Sequence, residues 1–588
     1  MASVHWFQPT VVNNSPLLFY SSIIKGVFLM QRLASVASVV ASILLFASHG
    51  FAQSQQDLIK GSGNTDNVLN YGMSYSQHRY STLAQINKSN ARRLVPVWSL
   101  SLENELGEQG QPMVYEGVMY VANAKFTVAI EAATGKQLWR TPVNYDPETP
   151  RVVCCGVSYR GMALYNGKVF RGTLDAHMVA LDQKTGKEVW KAKVAEWKEG
   201  FSIVGAPQLA NGVLITGISG AEFGVRGFLD GYDPETGKRV WRRYTIPAPG
   251  EKGSETWPAG EASSHGGGST WITGSYDPQL DLVYWGTGNA APWNPASRPG
   301  DNLYTASVIA IKPKTGEIVW HYQLVPNEMF DLDANWEWII ADIPYQGTTR
   351  KVIMHMSRGG FLYVVDRTNG KLIAAPAFEK TSWASHVDMS TGRPVETDLA
   401  RKFRAGEQIE LWPGQWGAKN WAPAAFNPET GLLYANTMHN SRMVKTAPAE
   451  YKVGQRYVGF DNLPAPREAG RPIGHMDAID PITGKHKWRM PVMDTPSYSS
   501  MLATKGGLLF TGKATGEFTA VDMDSGQTLW QFKTPSGINA QPITFTQNGK
   551  QYVTIQSGLG GTGVLRMGDF FQGQPRSGSV WTFALADD

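Results

Sequence analysis

Cysteine is almost missing from this chain. Its 588 residues include two, Cys154 and Cys155, and they are neighbours. No Cys-x-x-Cys-His run occurs, so the sequence holds no motif for a covalently attached c-type haem. Charge is sparse as well. Charged residues make up 18%, the formal net charge is +4, and there is no long basic run. That balance argues against nucleic acid as a partner. Long apolar runs are lacking beyond the N-terminal region. Residues 34–47 are apolar, follow Arg32, and precede Gly50-Phe51-Ala52 and the polar Gln53-Ser54-Gln55-Gln56. This run is shorter than the roughly 20 residues a membrane-spanning helix needs. It reads as a secretory signal peptide cleaved near Ala52, an uncleaved anchor being the alternative. Met30 would make a more ordinary start, so residues 1–29 read as an N-terminal extension. The expectation is that 1–52 are removed and 53–588 form an exported, periplasmic domain without stable membrane insertion.

The adjacent cysteines leave two readings open. Consecutive Cα atoms lie about 3.8 Å apart, below the usual disulfide window of roughly 4.4–6.8 Å. A bond between them would be strained, and strain tends to mark a site. The other reading is two small buried thiols. Export to an oxidising compartment favours the disulfide.

Hydrophobic residues reach 42%, enough for a large core, and there are 20 Trp and 62 Gly without long helical periodicity. That composition points to many short strands and turns. One unit recurs. Residues 129–139 read AIEAATGKQLW, 180–190 ALDQKTGKEVW, 231–241 GYDPETGKRVW and 310–320 AIKPKTGEIVW. Degenerate copies stand at 365–370 and 426–431, and two good copies follow at 478–488 and 520–530. In each good copy an apolar strand leads into a Thr-Gly or Ser-Gly tight turn, and a second strand leaves carrying Trp. Such a hairpin cannot bury both faces alone, and radial stacking solves the problem. Eight copies predict an all-β, eight-bladed β-propeller. Trp98, in Leu94-Val95-Pro96-Val97-Trp98, is expected to complete the last blade beside Ser579–Leu585, removing a free sheet edge.

With these units in place, the chain from Asn70 to Leu585 resembles the pyrroloquinoline quinone (PQQ)-dependent alcohol dehydrogenases, the quinoprotein family of bacterial methanol and ethanol dehydrogenases. The resemblance is carried by Asn70-Tyr71-Gly72, Gln77-His78-Arg79-Tyr80-Ser81, Cys154-Cys155, Thr173–His177, Gly217–Gly227 and Trp285–Asn289. It implies that PQQ lies in a central funnel between a Cys154–Cys155 disulfide and Trp271. Arg160 matches the family's carboxylate-binding Arg, and Ser219, Ser269 and Asn420 match polar contacts to the quinone. The match departs at two places. Val204 stands where relatives often carry a Thr ligand. Gln109, beside Glu108, stands where many carry Glu; it can still bond the quinone.

Glu222, Asn289 and Asp331 match the family's ligands for a hard cation, and all offer oxygen, as Ca²⁺ requires. Asp331 also matches the catalytic base. The implied reaction moves an alcohol's hydroxyl proton to that base while its α-hydrogen leaves as hydride for quinone C5, with the metal polarising the C5 oxygen. Arg358 matches the cation beside that oxygen. Asp333, two residues past the base, matches an acidic position associated with lanthanide-using members; a further carboxylate favours a trivalent ion. The expected electron acceptor is separate, such as a periplasmic cytochrome c. Two other readings stay open: a catalytically silent propeller scaffold, and a PQQ dehydrogenase for sugars or polyols. Residues 330–338 and the insert 381–416 are expected to shape the funnel mouth. The sequence leaves the particular alcohol and the oligomeric state open, a homodimer included.

Overall fold

Each Thr-Gly unit folds as its residues dictate. In residues 180–190, Asp182 closes the turn by accepting from the Thr185 N–H at 2.8 Å. The chain then reverses through Gly186 at φ +70°. Glycine is required there twice over. It adopts the left-handed conformation freely, and a Cβ would fall 2.5 Å from the Trp139 ring of the preceding unit. Trp139 donates its Nε1–H to the Gln183 carbonyl at 3.1 Å. Trp190 repeats this on the next turn, bonding Pro234 O at 3.1 Å. These two tryptophans thus fasten their own hairpins to the next, and Trp320 packs on Gly370 without such a bond.

The computed structural model describes residues 53–463, 471–493, 498–561 and 571–587, so the expected signal peptide lies outside the described residues. Among them, eight antiparallel sheets of four or five strands follow one another along the chain. Seven follow in chain order, from Met113–Tyr115 through Thr528–Lys533, and in one of them Arg442–Thr446 and Phe460–Leu463 leave to a small separate sheet before its third strand. One of these gains Tyr80–Ser81 as a parallel fifth strand. The eighth joins Ile543–Gln547, Lys550–Ser557 and Ser579–Leu585 with the early strand Leu94–Ser101. Leu94 pairs with Leu585 and Ser101 with Ser579, and a bulge lies between Pro96 and Trp98. Trp98 docks on the first unit, donating to Ala132 O at 2.9 Å. The two ends of the chain therefore share one sheet, as the sequence predicts, and the fold is a β-propeller.

The core lies between neighbouring sheets. Met113, Tyr120 and Ala129 of one sheet pack on Leu164, Val169 and Val179 of the next. The insert adds a hairpin, Ala384–Asp388 with Arg393–Glu396, and a helix, Asp398–Arg404. Thr397 caps that helix through the Ala400 N–H at 3.3 Å. Among the described residues no helix is long and apolar enough to cross a membrane.

Candidate active site

Strand direction gathers the site. In a four-stranded antiparallel sheet, the start of the first strand and the link from second to third strand lie at the same end. Every sequence-predicted site residue sits in one of these two connections. Cys154, Cys155 and Arg160 precede Ala163–Tyr165, Ser269 and Trp271 precede Ser275–Asp277, and Asp331 and Asp333 precede Ile339–Tyr345. Ser219 and Glu222 link Val213–Gly217 to Phe228–Tyr232, and Arg358 links Thr348–Met356 to Leu362–Asp366.

These loops enclose a cavity of about 700 Å³, solvent at its mouth included. Cys154, Cys155, Arg160, Ser219, Glu222, Ser269, Trp271, Asp331, Asp333, Arg358 and Asn420 all line it. The two cysteines are disulfide-bonded, and Cys155 has φ +70°. The Glu222 carboxylate lies against them, with its ligand oxygen within 4.8 Å of both sulfurs. Val204 lines the cavity where relatives offer a hydroxyl.

Two predicted residues stand apart. Asn289 does not line the cavity, but its backbone N–H bonds Asp333 Oδ1 at 2.8 Å. Gln109 is buried outside the lining, its amide nitrogen crowded against Gly561. The funnel-mouth expectation for 330–338 also needs correction. Asp331 and Asp333 face the cavity. Phe330 and Leu332 turn the other way into the core, where Phe330 meets Phe403 of the insert helix at 4.9 Å. The insert supports this loop from behind.

The loop around Asp331 is held by its backbone. The buried Glu328 carboxylate accepts the N–H groups of Phe330 at 2.5 Å and Leu332 at 2.9 Å. Arg298 grips the Glu328 carbonyl, and Arg442 grips the Phe330 carbonyl. Asp331 sits between them at φ +61°. Burial pushes the Glu328 carboxyl up from its ordinary range.

Asp331 and Arg358 form a buried ion pair at 2.9 Å, and Arg358 also lies 3.8 Å from Asp333. Burial, then the charges of Asp331 and Glu222, pushes the Asp333 carboxyl well up, and Arg358 opposes this. Burial works against the Arg358 cation, yet the two aspartates hold it above its usual value. Arg358 is aimed from behind: its Nη2 donates to Gln415 O at 2.5 Å, and Gly417 packs directly on its side-chain stem. Asn440, for which no motif offers a signal, pins this turn. Its Nδ2 donates to Gly417 O at 2.9 Å, and its carbonyl accepts from Gly414 N at 2.7 Å. Trp421, Tyr498 and Ser158 also line the cavity without having been singled out in sequence.

The donor set tests what the cavity can hold. Arg160 is buried, yet its Nε and Nη1 have no hydrogen-bond partner. Its guanidinium lies 5.1 Å from the Trp271 ring and 4.6 Å from that of Trp421. Burial lowers it to about 10, so it stays charged at neutral pH. A buried cation with two unpaired donors fits an anionic ligand, and the flanking indoles fit a flat ring. Asp331 Oδ1 likewise lacks a partner. Glu222, Asp331 and Asp333 set three carboxylates against Arg358, an oxygen donor set that fits a hard cation.

A propeller whose loops close an anion-seeking aromatic cavity over a vicinal disulfide defines a cofactor-dependent propeller protein. Comparison with known proteins gives the class its name. Residues 69–382 and 467–553 match the family described as "PQQ: glucose/ethanol/alcohol dehydrogenase, beta-propeller domain". The chain is 40% identical over 541 residues to quinohemoprotein alcohol dehydrogenase ADH IIB of Pseudomonas putida, covering 88% of this chain and 77% of that one. It is 38% identical to quinoprotein alcohol dehydrogenase PedH of Pseudomonas putida over 94% of this chain and 97% of that protein. Among solved structures, a europium-containing methanol dehydrogenase superposes with a TM-score of 0.85 at 35% identity, covering 90% of this chain and all of that one. The chain belongs to the PQQ-dependent alcohol dehydrogenase family, and is an enzyme of that class.

Proposed function

We propose that this protein oxidises an alcohol to the aldehyde or ketone in the periplasm, using PQQ and one metal ion. Residues 1–52 are its export signal and 53–588 the mature propeller, with the eight sheets as its blades. Electrons leave to a separate acceptor such as a cytochrome c. The observation that carries this reading is one cavity holding the Cys154–Cys155 disulfide, Trp271, Arg160 and the Asp331–Arg358 pair.

Each residue has a task there. The disulfide and Trp271 offer two faces to a planar ring, and Arg160 gives its unpaired N–H groups to a carboxylate. Ser219, Ser269 and Asn420 offer polar contacts at the rim. Gln109 lies outside the lining, so its contact requires a shift of its side chain. Glu222, Asp331 and Asp333 would hold the metal, and Asn289, which lies behind the lining with its N–H on Asp333, would join them by turning its side chain inward. When bound, the quinone supplies the two-electron acceptor, and the ion draws electron density toward its oxygen. The alcohol's proton goes to Asp331 Oδ1, the oxygen that Arg358 leaves unpaired. Arg358 pairs with the Asp331 carboxylate and stabilises negative charge developing beside it. Burial of the pair excludes water and strengthens both effects.

Three carboxylates in one cavity favour a trivalent lanthanide over Ca²⁺, since each added negative charge stabilises the higher charge more. The test is dye reduction by metal-free protein loaded with PQQ plus Ca²⁺ or La³⁺, across simple alcohols, polyols and sugars. The reading expects PQQ-dependent activity with alcohols, greater with La³⁺. Activity on sugars alone would replace the substrate class. No PQQ-dependent activity with any of them would overturn the proposal.

A further inference from the structure

Behind the cavity lies a row of buried ionic groups that the reaction does not use. Lys419 and Glu337 pair at 2.9 Å, each side chain at most 2% exposed, and so cancel one another. Arg79 has no contact partner of that kind; Glu337 also acts on it from a distance, so Arg79, Lys419 and Glu337 together keep one positive charge in excess. The Arg79 side chain is fully buried, and Nη1 donates to the neutral Gln111 Oε1 at 2.9 Å. Nε and Nη2 have no hydrogen-bond partner, and among the described residues no carboxylate lies within ion-pair distance. The guanidinium stands 4.9 Å from the Tyr71 ring. The Tyr71 phenol lies within electrostatic reach of both Arg79 and Arg160, and Gln541 bonds its hydroxyl at 3.1 Å. Arg79 therefore stands one aromatic ring behind the cation that lines the cavity.

An uncompensated buried cation costs free energy, and an arginine cannot escape by losing its proton. A neighbouring anion is what offsets that cost. We propose that Arg79 is a remote electrostatic positioning residue, whose uncompensated charge adds to that of Arg160 in drawing the carboxylates of PQQ into the cavity. This rests on the reading that PQQ binds there. Low dielectric lets the effect reach past the contact layer. A unit charge acting over roughly 10 Å at an effective dielectric of about 20 changes a binding constant on the order of tenfold.

The experiment is titration of metal-free protein with PQQ and with its neutral trimethyl ester, followed by quenching of tryptophan fluorescence. Arg79→Gln deletes the charge. Gln111→Glu cancels it in place, nearly keeps the side-chain shape, and serves if the first variant fails to fold. Each should weaken PQQ about tenfold and leave the ester within about twofold, whereas Arg79→Lys should keep most of the affinity. Unchanged PQQ affinity in the folded variants would overturn the inference, as would equal loss for the ester. Failure of the unsubstituted protein to bind PQQ would instead sink the functional reading on which it rests.

Discussion

Replacing Glu108 by Gln should stabilise the protein at neutral and alkaline pH and leave it unchanged near pH 4.5. The Glu108 carboxyl is fully buried and meets only neutral donors. Asn104 and Asn123 give their amide N–H groups to Oε1 at 2.8 and 3.0 Å, and Gln556 gives its own to Oε2 at 3.1 Å. Burial pushes its pKa from 4.5 up to about 8. Between those values the unfolded chain has released a proton that the folded chain still holds, so stability falls as pH rises through the window. Each pH unit costs about 1.4 kcal/mol, which gives about 3 kcal/mol at pH 7 and, as the folded carboxyl itself begins to ionise, roughly 4 kcal/mol at pH 8. A glutamine escapes this cost. The Gln556 amide can turn its unpartnered Oε1 toward the new NH₂ group. The assay is urea unfolding of the metal-free protein and the variant from pH 5 to pH 8. The two should diverge steadily with pH, the variant being the more stable. Parallel curves would refute the reasoning.

Three other outcomes follow from the site. Asp331→Asn should keep the fold and lose about 10²–10⁴-fold in turnover, measured by dye reduction, because the proton acceptor is gone. Asp333→Ala should weaken La³⁺-supported activity more than Ca²⁺-supported activity in metal titrations; equal loss with both would indicate general damage to the site. Asn440→Ala should release the 414–417 turn that aims Arg358, lowering kcat about 10–100-fold while PQQ affinity, read by fluorescence, stays put.

The propeller was legible because its repeat is a local rule. A Thr-Gly turn followed by Trp announces both the hairpin and its docking partner, as Trp139 on Gly186 shows. Where a copy lacks its Trp the contact changes: Gly484 receives Pro376 instead. The cavity residues were legible through family motifs, and the loops do bring most of them together. What escaped was contact between distant segments. Nothing in the sequence near Asn440 says that it holds a turn 23 residues away, or that this turn holds Arg358. Phe330 fell in the stretch expected to shape the funnel mouth, yet it packs into the core while Asp331 beside it lines the cavity. Gln109 sits in a matching motif, but its side chain lies beside Gly561, outside the lining.

The central claim is that one cavity holds the quinone and the metal together. A crystal structure of the PQQ- and La³⁺-loaded protein, with anomalous scattering from the ion, tests it most directly. The account predicts a planar ring between Trp271 and the Cys154–Cys155 disulfide, and an anomalous peak at bonding distance from Glu222, Asn289, Asp331 and Asp333. A ring or an ion located anywhere else would contradict it.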